Sequence, residues 1–331
     1  MKLAVISMIR DEADVIRPFL RHLAALFDLV FLLDQRSSDG TSDIIRHGCN
    51  ACPGWSHWHM DFAGRHQKEV VTAFMARAFE QGADAVFLLD SDEFIDVRSR
   101  AELEAVADEM NARSKPGLFS WKTCVPLHFD RWQFDPDKPL WIGEAGASFA
   151  KVAIPRALFL SVPGLRVTQG NHHAADADGN RIGAVIPAGN LLHLPIRSRQ
   201  QFLQKVFISA IANLAKNNPM TKEGTHKRLF LEAIAGRALS DATLMSIAGQ
   251  FPMLGKPPEW WSDPSNIARA GFMQRRMNVA FADLELPEPV RPDLVQIIAR
   301  CLMEYRLEDI EGGKGSLVFE GDRVRFQPHP V

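Results

Sequence analysis

The sequence predicts an α/β fold: a mostly parallel sheet flanked by helices, with a mainly helical C-terminal extension. Three observations predict it. Short unbroken apolar runs recur at Lys2–Ile9, Leu29–Asp34 and Ala85–Asp90. They lack polar alternation, as strands buried on both faces do. Between them lie segments with apolar residues at helical spacing, and β-α alternation of this kind favours a parallel sheet.

The elements follow in order. "KLAVISMI" reads as the first strand. "DEADVIRPFLRHLAALF" places Val15, Ile16, Phe19, Leu20, Leu23 and Leu26 on one helical face, with Pro18 in the first turn or at a kink. "LVFLLD" is the second strand, and Ser38 to Thr41 supply turn and N-cap chemistry for a short helix ending near Gly48. His57–Phe62 reads as a third strand, "GRHQKEVVTAFMARAFEQGA" as a helix, and Ala85–Asp90 as the next strand. "SRAELEAVADEMNAR" is a helix and "GLFSWKTCVPLHF" a strand; residues 130–146 form a loop rich in Pro, Asp and Trp. "SFAKVAIP" and "LFLSVPG" read as short strands, and "QGNHHAADADGNRIGA" as polar and exposed. A strand ends near His193, and a helix runs from about Ser198 to Ala215. Helical pattern continues to about Asp309, broken at Pro257, Pro258 and Pro264, and Ser316–Pro328 reads as a terminal hairpin. The division expected is an α/β unit over 1–205 and a mainly helical region over 206–331 ending in the hairpin.

Bulk properties narrow the function. A formal charge of -2 over 331 residues gives no bulk attraction for nucleic acid. The first apolar run is shorter than a signal-peptide core, and no window approaches a membrane span, so a cytoplasmic protein is the expectation. Four cysteines make no disulfide framework. Cys49 and Cys52 form "CNAC" near His47, His57 and His59, but with no second CxxC a loop with incidental thiols is the better reading than a zinc site.

The stretch "FLLDSDEF" carries the sharpest signal. A buried strand leads straight into Asp90, Asp92 and Glu93, and ligands of open parallel sheets bind beyond strand carboxyl ends. In a strand-like backbone Asp90 and Asp92 share a side, and two close carboxylates repel unless a cation lies between them. Oxygen ligands suit Mg2+ or Mn2+, which also hold diphosphates. A bare Asp-x-Asp is common on solvated strand ends, so its context matters.

That context resembles a family-2-like glycosyltransferase of the GT-A fold, the DxD-containing bacterial sugar transferases. The resemblance rests on Arg10-Asp11-Glu12, Asp34 and Ser37-Ser38-Asp39-Gly40-Thr41 within residues 6–45, and on "GADAVFLLDSDEFI" over 82–95. "GNHHA" (170–174) and "LLHLPIRSRQQFLQK" (191–205) match more loosely. Together these blocks span about the first 205 residues.

The resemblance implies a GT-A-type, Rossmann-like sheet and a nucleotide-diphosphate sugar donor, most often a uridine one. Carried over by position, the backbone near Ser7 to Arg10 contacts the base, Asp11 belongs to the same nucleotide-binding set, and Asp34 bonds base or ribose. Arg65 and Lys68 neighbour base or phosphate. Asp90 faces ribose and metal, Asp92 ligates Mn2+ or Mg2+ directly, and Glu93 orients the site or caps the turn. A later histidine, His172 or His193, is implied as a further metal ligand, favouring Mn2+; a hydrogen-bonded loop histidine is the plainer alternative. Arg197, Arg199 and Lys205 either neutralise the leaving diphosphate or form an exposed basic face.

An inverting transfer, which the resemblance implies, also needs a base. Glu144 is the first candidate, behind an aromatic loop carrying Trp132 and Trp141, and Asp130 the second. The Glu-Asp pair of processive relatives and their Gln-x-x-Arg-Trp signature are absent, which favours single sugar transfer. The acceptor expected is a hydroxyl of a surface polysaccharide, a lipid-linked sugar or a protein, with peripheral membrane contact conceivable in the lipid-linked case. "PPEWWS" (257–262) offers a carbohydrate platform, an interfacial contact or simple packing. Two other classes compete: a non-catalytic nucleotide- or carbohydrate-binding scaffold, and a sugar-phosphate nucleotidyltransferase, which "SMIRDEADV" disfavours by lacking a glycine-rich loop.

Overall fold

The structure, a computed structural model, describes residues 1–62, 66–130, 134–144, 149–215, 239–250, 265–289, 295–296, 299 and 315–328. Arg65, Trp132, Pro257, Pro258, Trp260, Trp261, Pro264 and Asp309, all singled out above, lie outside the described residues.

The chain opens as β1 (Leu3–Ile9), α1 (Ile16–Leu26), β2 (Leu29–Asp34), α2 (Thr41–Ala51), β3 (Trp55–Met60), α3 (Gln67–Glu80) and β4 (Ala85–Leu88). It continues as β5 (Glu93–Ile95), α4 (Arg100–Arg113), β6 (Gly117–Val125), β7 (Leu140–Gly143), β8 (Ala150–Pro155) and α5 (Arg156–Ser161). The small strands β9 (Arg166–Val167) and β10 (Ala174–Ala175) precede β11 (Ile186–His193) and α6 (Arg199–Ala215). The last described elements are α7 (Asp241–Gln250), α8 (Ser265–Ala270), β12 (Phe272–Arg275), β13 (Gly315–Glu320) and β14 (Arg323–Pro328).

The α/β class expected from the sequence is what the chain adopts: one large sheet flanked by helices. β4, β1, β2 and β3 lie side by side and parallel. β8 joins β4 antiparallel, and β6 joins β8 antiparallel. The whole sheet is more mixed than "mostly parallel". β7 and β12 extend it antiparallel beyond β6, and β11 runs parallel to β6 and antiparallel to β5. Alternation along β1 explains the two cores. Leu3 and Val5 pack with α1 residues such as Phe19 and Leu23; Ala4 and Ile6 pack on the other face with Phe74 and Met75 of α3.

Three local expectations change. "LFLSVPG" is not a strand: residues 156–161 are helical, with Leu158 buried and Leu160 68% exposed. A short apolar run cannot by itself separate strand from helix, and Pro155, with φ -81°, occupies the helix cap. The polar stretch 169–184 is not all exposed, because Asn171, Ala174 and Ala175 are buried. The tail is not uniformly helical. Residues 276–289 run without regular structure across α1, where Met277 and Leu286 join the core and Ala282 N donates to Arg21 O at 2.9 Å. The terminal hairpin forms as expected and adds β14 parallel to β3, pairing Arg323 with His59.

Gly54, at the turn into β3, has φ +86°, and an added Cβ would fall on the backbone oxygen of Asp28. That oxygen belongs to the chain and cannot swing aside. Gly54→Ala should therefore cost about 2 kcal/mol or more, read as a lowered urea midpoint with unchanged slope.

Candidate active site at the strand tips

The two motif loops behind β1 and β2 fold as one hydrogen-bonded unit. Asp39 accepts from Ala13 N at 2.9 Å and from Thr41 N at 3.1 Å. Thr41 Oγ1 in turn accepts from Glu12 N at 3.0 Å. Asp11 sits at φ 51° and accepts from Ser38 N at 2.6 Å, while its own N–H donates to Ser37 Oγ at 3.0 Å. Much of the Arg-Asp-Glu and Ser-Ser-Asp-Gly-Thr signature is therefore scaffold that fixes the rim of the site. Burial raises the Asp11 carboxyl, partly opposed by Ser38 and Arg10, whose Nε lies 3.5 Å from Asp11 Oδ2.

Asp34 is 2% exposed and accepts from Ser37 N at 3.0 Å. Burial pushes its carboxyl up, but His57, Ser37 and Ser42 together hold it below the usual carboxylate range. It faces a cleft of about 270 Å³ lined also by Arg36, Ser37, Ser42, His59, Asp61 and Arg323. Lys68, in the first turn of α3, lies 3.6 Å from Glu69 on the surface.

Asp90 to Glu93 form a β-turn, not strand. Glu93 N donates to Asp90 O at 3.1 Å, and Glu93 Oε2 accepts from Asp90 N at 2.9 Å, the capping role foreseen for Glu93. The turn separates the two aspartates instead of setting them side by side. The Asp90 side chain is 37% exposed and pairs with Lys151 Nζ at 2.6 Å. Lys151 is itself buried, 3.6 Å from the buried Glu93 and over the Trp121 ring at 5.7 Å. Burial raises the Glu93 carboxyl well above its ordinary value, against the pull of Lys151. The sequence reading passed over Lys151, although a lysine inside the apolar run "FAKVAIP" was a usable signal.

Asp92 turns into a buried ion cluster. Lys205 Nζ reaches Asp92 Oδ2 at 2.5 Å, Arg197 Nη1 at 3.6 Å and His193 Nε2 at 3.7 Å. Burial would push Asp92 up, but Lys205, then His193 and Arg197, hold it well below the usual range. Arg197 is 0% exposed and forks onto Asp14 through Nε and Nη2, both at 2.8 Å; it also donates to Glu12 and to Leu194 O. Arg197 and Lys205 are thus not an exposed basic face: they link α6 and its approach to the β1 loop and the β4 turn.

Trp121 lies between the two halves. His193 stacks on it at 4.5 Å, and His172 meets it edge-on at 5.7 Å. His172 Nδ1 lies 2.7 Å from Ala150 O, so the proton sits on Nδ1 and Nε2 is left as an acceptor.

The expected Mn2+ or Mg2+ can be tested against these donors. Asp90 and Asp92 do not converge on one point. Asp92 Oδ2 and His193 Nε2 stand 3.7 Å apart, but the Lys205 ammonium already holds that oxygen and Arg197 faces it, so a cation there would have to displace Lys205. Asp90, for its part, pairs with Lys151.

The two candidate bases lie elsewhere. Glu144 pairs with Arg275 at 3.1 Å and Lys122 at 3.8 Å. Lys122 and Trp121 are neighbours in β6 and so project to opposite faces, which sets Glu144 apart from the Lys151–Asp90 pair. Asp130 is largely exposed and pairs with Arg199, which also holds Asp241. Cys49, Cys52 and Cys124 are free thiols, burial pushes Cys49 up to about 12, and "CNAC" is not a loop: Cys49 lies in the last turn of α2 and Cys52 caps it.

No family model matches the chain, and no curated protein matches it. Among solved structures it is similar to S. aureus TarS, at 14% identity and a TM-score of 0.34, covering 82% of this chain. The chain spans 55% of the length of that TarS structure. A second structure, S. aureus TarS 1-349, is similar at 12% identity and a TM-score of 0.35, covering 99% of this chain and 97% of that one. Among the described residues no helix is long and apolar enough to cross a membrane.

Proposed function

We propose that the chain is a glycosyltransferase that moves a sugar from a nucleotide-diphosphate sugar, a UDP-sugar by preference, to a hydroxyl acceptor in surface polysaccharide or glycoconjugate synthesis. One observation carries this reading. The turn bearing Asp90 and Asp92 leaves the carboxyl end of β4 beside β1, at the point where the strand order reverses, and ligands of open α/β sheets bind there. The motif resemblance assigns the same turn to the donor.

In this reading the nucleoside end occupies the cleft between Asp34 and Arg323, and the diphosphate points toward Arg10 and Asp90. The acceptor oxygen attacks the anomeric carbon as the bond to the diphosphate oxygen breaks, and the acceptor proton passes to a carboxylate. Asp92 and His193 would be the residues to hold a divalent cation if Lys205 gave way, and bound there it would supply positive charge for the departing diphosphate. Arg197 and Lys205 keep Asp92 ionised, and Lys151 holds Asp90 against the rim.

The test is calorimetric titration of UDP, then GDP, with and without Mn2+, repeated on Asp92→Ala. The expected result is Mn2+-dependent UDP binding, weakened about tenfold or more by the substitution, as losses in metal-site shells do. A preference for GDP keeps the mechanism and changes the donor. Absence of nucleotide binding under every condition would overturn the reading in favour of a scaffold.

A further inference from the structure

We infer that Asp34, His57 and His59 form a binding site for a divalent transition-metal cation, Zn2+ by preference, on the floor of the cleft beyond β2 and β3. It lies on different strands from the Asp92–His193 pair and does not rest on the transferase reading, but it shares Asp34 and its cleft with the nucleoside position proposed above, so cation and nucleoside compete for that carboxylate.

The backbone brings the three groups together. His57 and His59 are two residues apart in β3 and share a face of the sheet; Asp34, at the end of β2, is the register partner of His59. One ligand atom from each lies within 4.8 Å of the others, and among the described residues no other three His, Cys, Asp or Glu side chains do this. The two imidazole rings are 4.3 Å apart. His57 Nε2 is buried and makes no hydrogen bond of ordinary length; it stands 3.8 Å from Asp34 Oδ2. That separation is too long for a hydrogen bond. Two ligands bound at about 2.0–2.1 Å to one zinc ion stand roughly 3.3–3.8 Å apart.

The chemistry of the donors agrees. Two imidazoles and one carboxylate select a borderline cation over Mg2+ and leave a coordination position open. Here Asp34 and His59 line the cleft together with Arg36, Ser42 and Arg323. Ser37 N already occupies Asp34 Oδ1 at 3.0 Å, which orients Oδ2 toward His57 as outer-shell partners of metal ligands do. The "CNAC" thiols take no part. Cys52 precedes β3, and His59 lies four residues beyond the strand's first residue, about 13 Å further along.

The test is titration of Co2+ into the metal-free full chain, followed by visible absorption, with Zn2+ as competitor. The expected result is a ligand-field band that Zn2+ abolishes. It should be lost in His57→Gln and in His59→Gln, kept in Asp92→Asn, and free of any thiolate-to-metal band. Absence of a band from the wild-type chain, a band that survives both histidine substitutions, or one lost only in Asp92→Asn would overturn the assignment. Circular dichroism checks each variant for folding. If the histidine variants do not fold, zinc-edge X-ray absorption on the wild-type chain decides: two imidazoles and no sulfur per tightly bound zinc support the site, and one or no imidazole, or a sulfur shell, sinks it.

Discussion

Arg197→Ala should destabilise the fold by about 4 kcal/mol, the range seen when one partner of a buried ion pair is removed. The guanidinium is fully buried and serves Asp14, Glu12, Asp92 and the Leu194 carbonyl together. Without it, Glu12 and Asp92 share the ammonium of Lys205 and Asp14 loses its fork, and a buried charge without a counter-charge is expensive. Arg197→Lys should recover only part of the loss, because an ammonium cannot fork onto Asp14. The cost should shrink at acid pH, where the orphaned carboxylates take up protons. Urea unfolding at neutral and acid pH measures both effects. A loss below about 1 kcal/mol at neutral pH would mean that the cluster is hydrated and contributes little.

Acid should destabilise the protein through His22, by about 3 kcal/mol between its unfolded and folded pKa values. The ring is fully buried in α1. Nδ1 lies 2.9 Å from Ala280 O, and Nε2 accepts from Ile95 N at 3.0 Å, so the neutral ring joins α1 to β5 and to the irregular tail segment. Burial lowers its pKa to about 4. The unfolded chain, titrating near 6.5, therefore binds the proton first. Stability is full above about 6.5 and is lost as pH falls toward about 4. Other groups titrate in the same window. His59, His172 and His173 are also lowered, while Glu12 and Glu93 are raised and act with the opposite sign. The difference between wild type and His22→Gln isolates the His22 share. If the two chains show the same pH slope, His22 is not the titrating group.

Much of the frame was legible in the chain itself. The apolar runs at Leu3–Ile9 and Leu29–Asp34, with a helical pattern between them, read as strands buried on both faces, and they are strands. The spacing from Ile16 to Leu26 placed α1, with Pro18 in its first turn. The approach of Asp34 and of the Asp90 turn to one edge followed from the parallel order of β1, β2 and β4. The role of Lys151 was harder to see, because its partners Asp90 and Glu93 lie about sixty positions earlier. The helix at 156–161 was misread because six residues are too few for either periodicity to show.

The sequence by itself determined the α/β class, the strand tips that carry acids and the motif loops that surround them. These depend on local patterning and on chain-order rules that act over tens of residues. Only the tertiary structure decided which charges meet. It parted Asp90 from Asp92 with a turn, drew Arg197 and Lys205 inward, set Glu144 with Arg275, and gathered Asp34, His57 and His59 at one cleft. Side-chain pairing between strands far apart in sequence depends on register and on the direction each side chain leaves its strand. Neither is written in the residues alone, because a shift of one position sends every side chain to the other face.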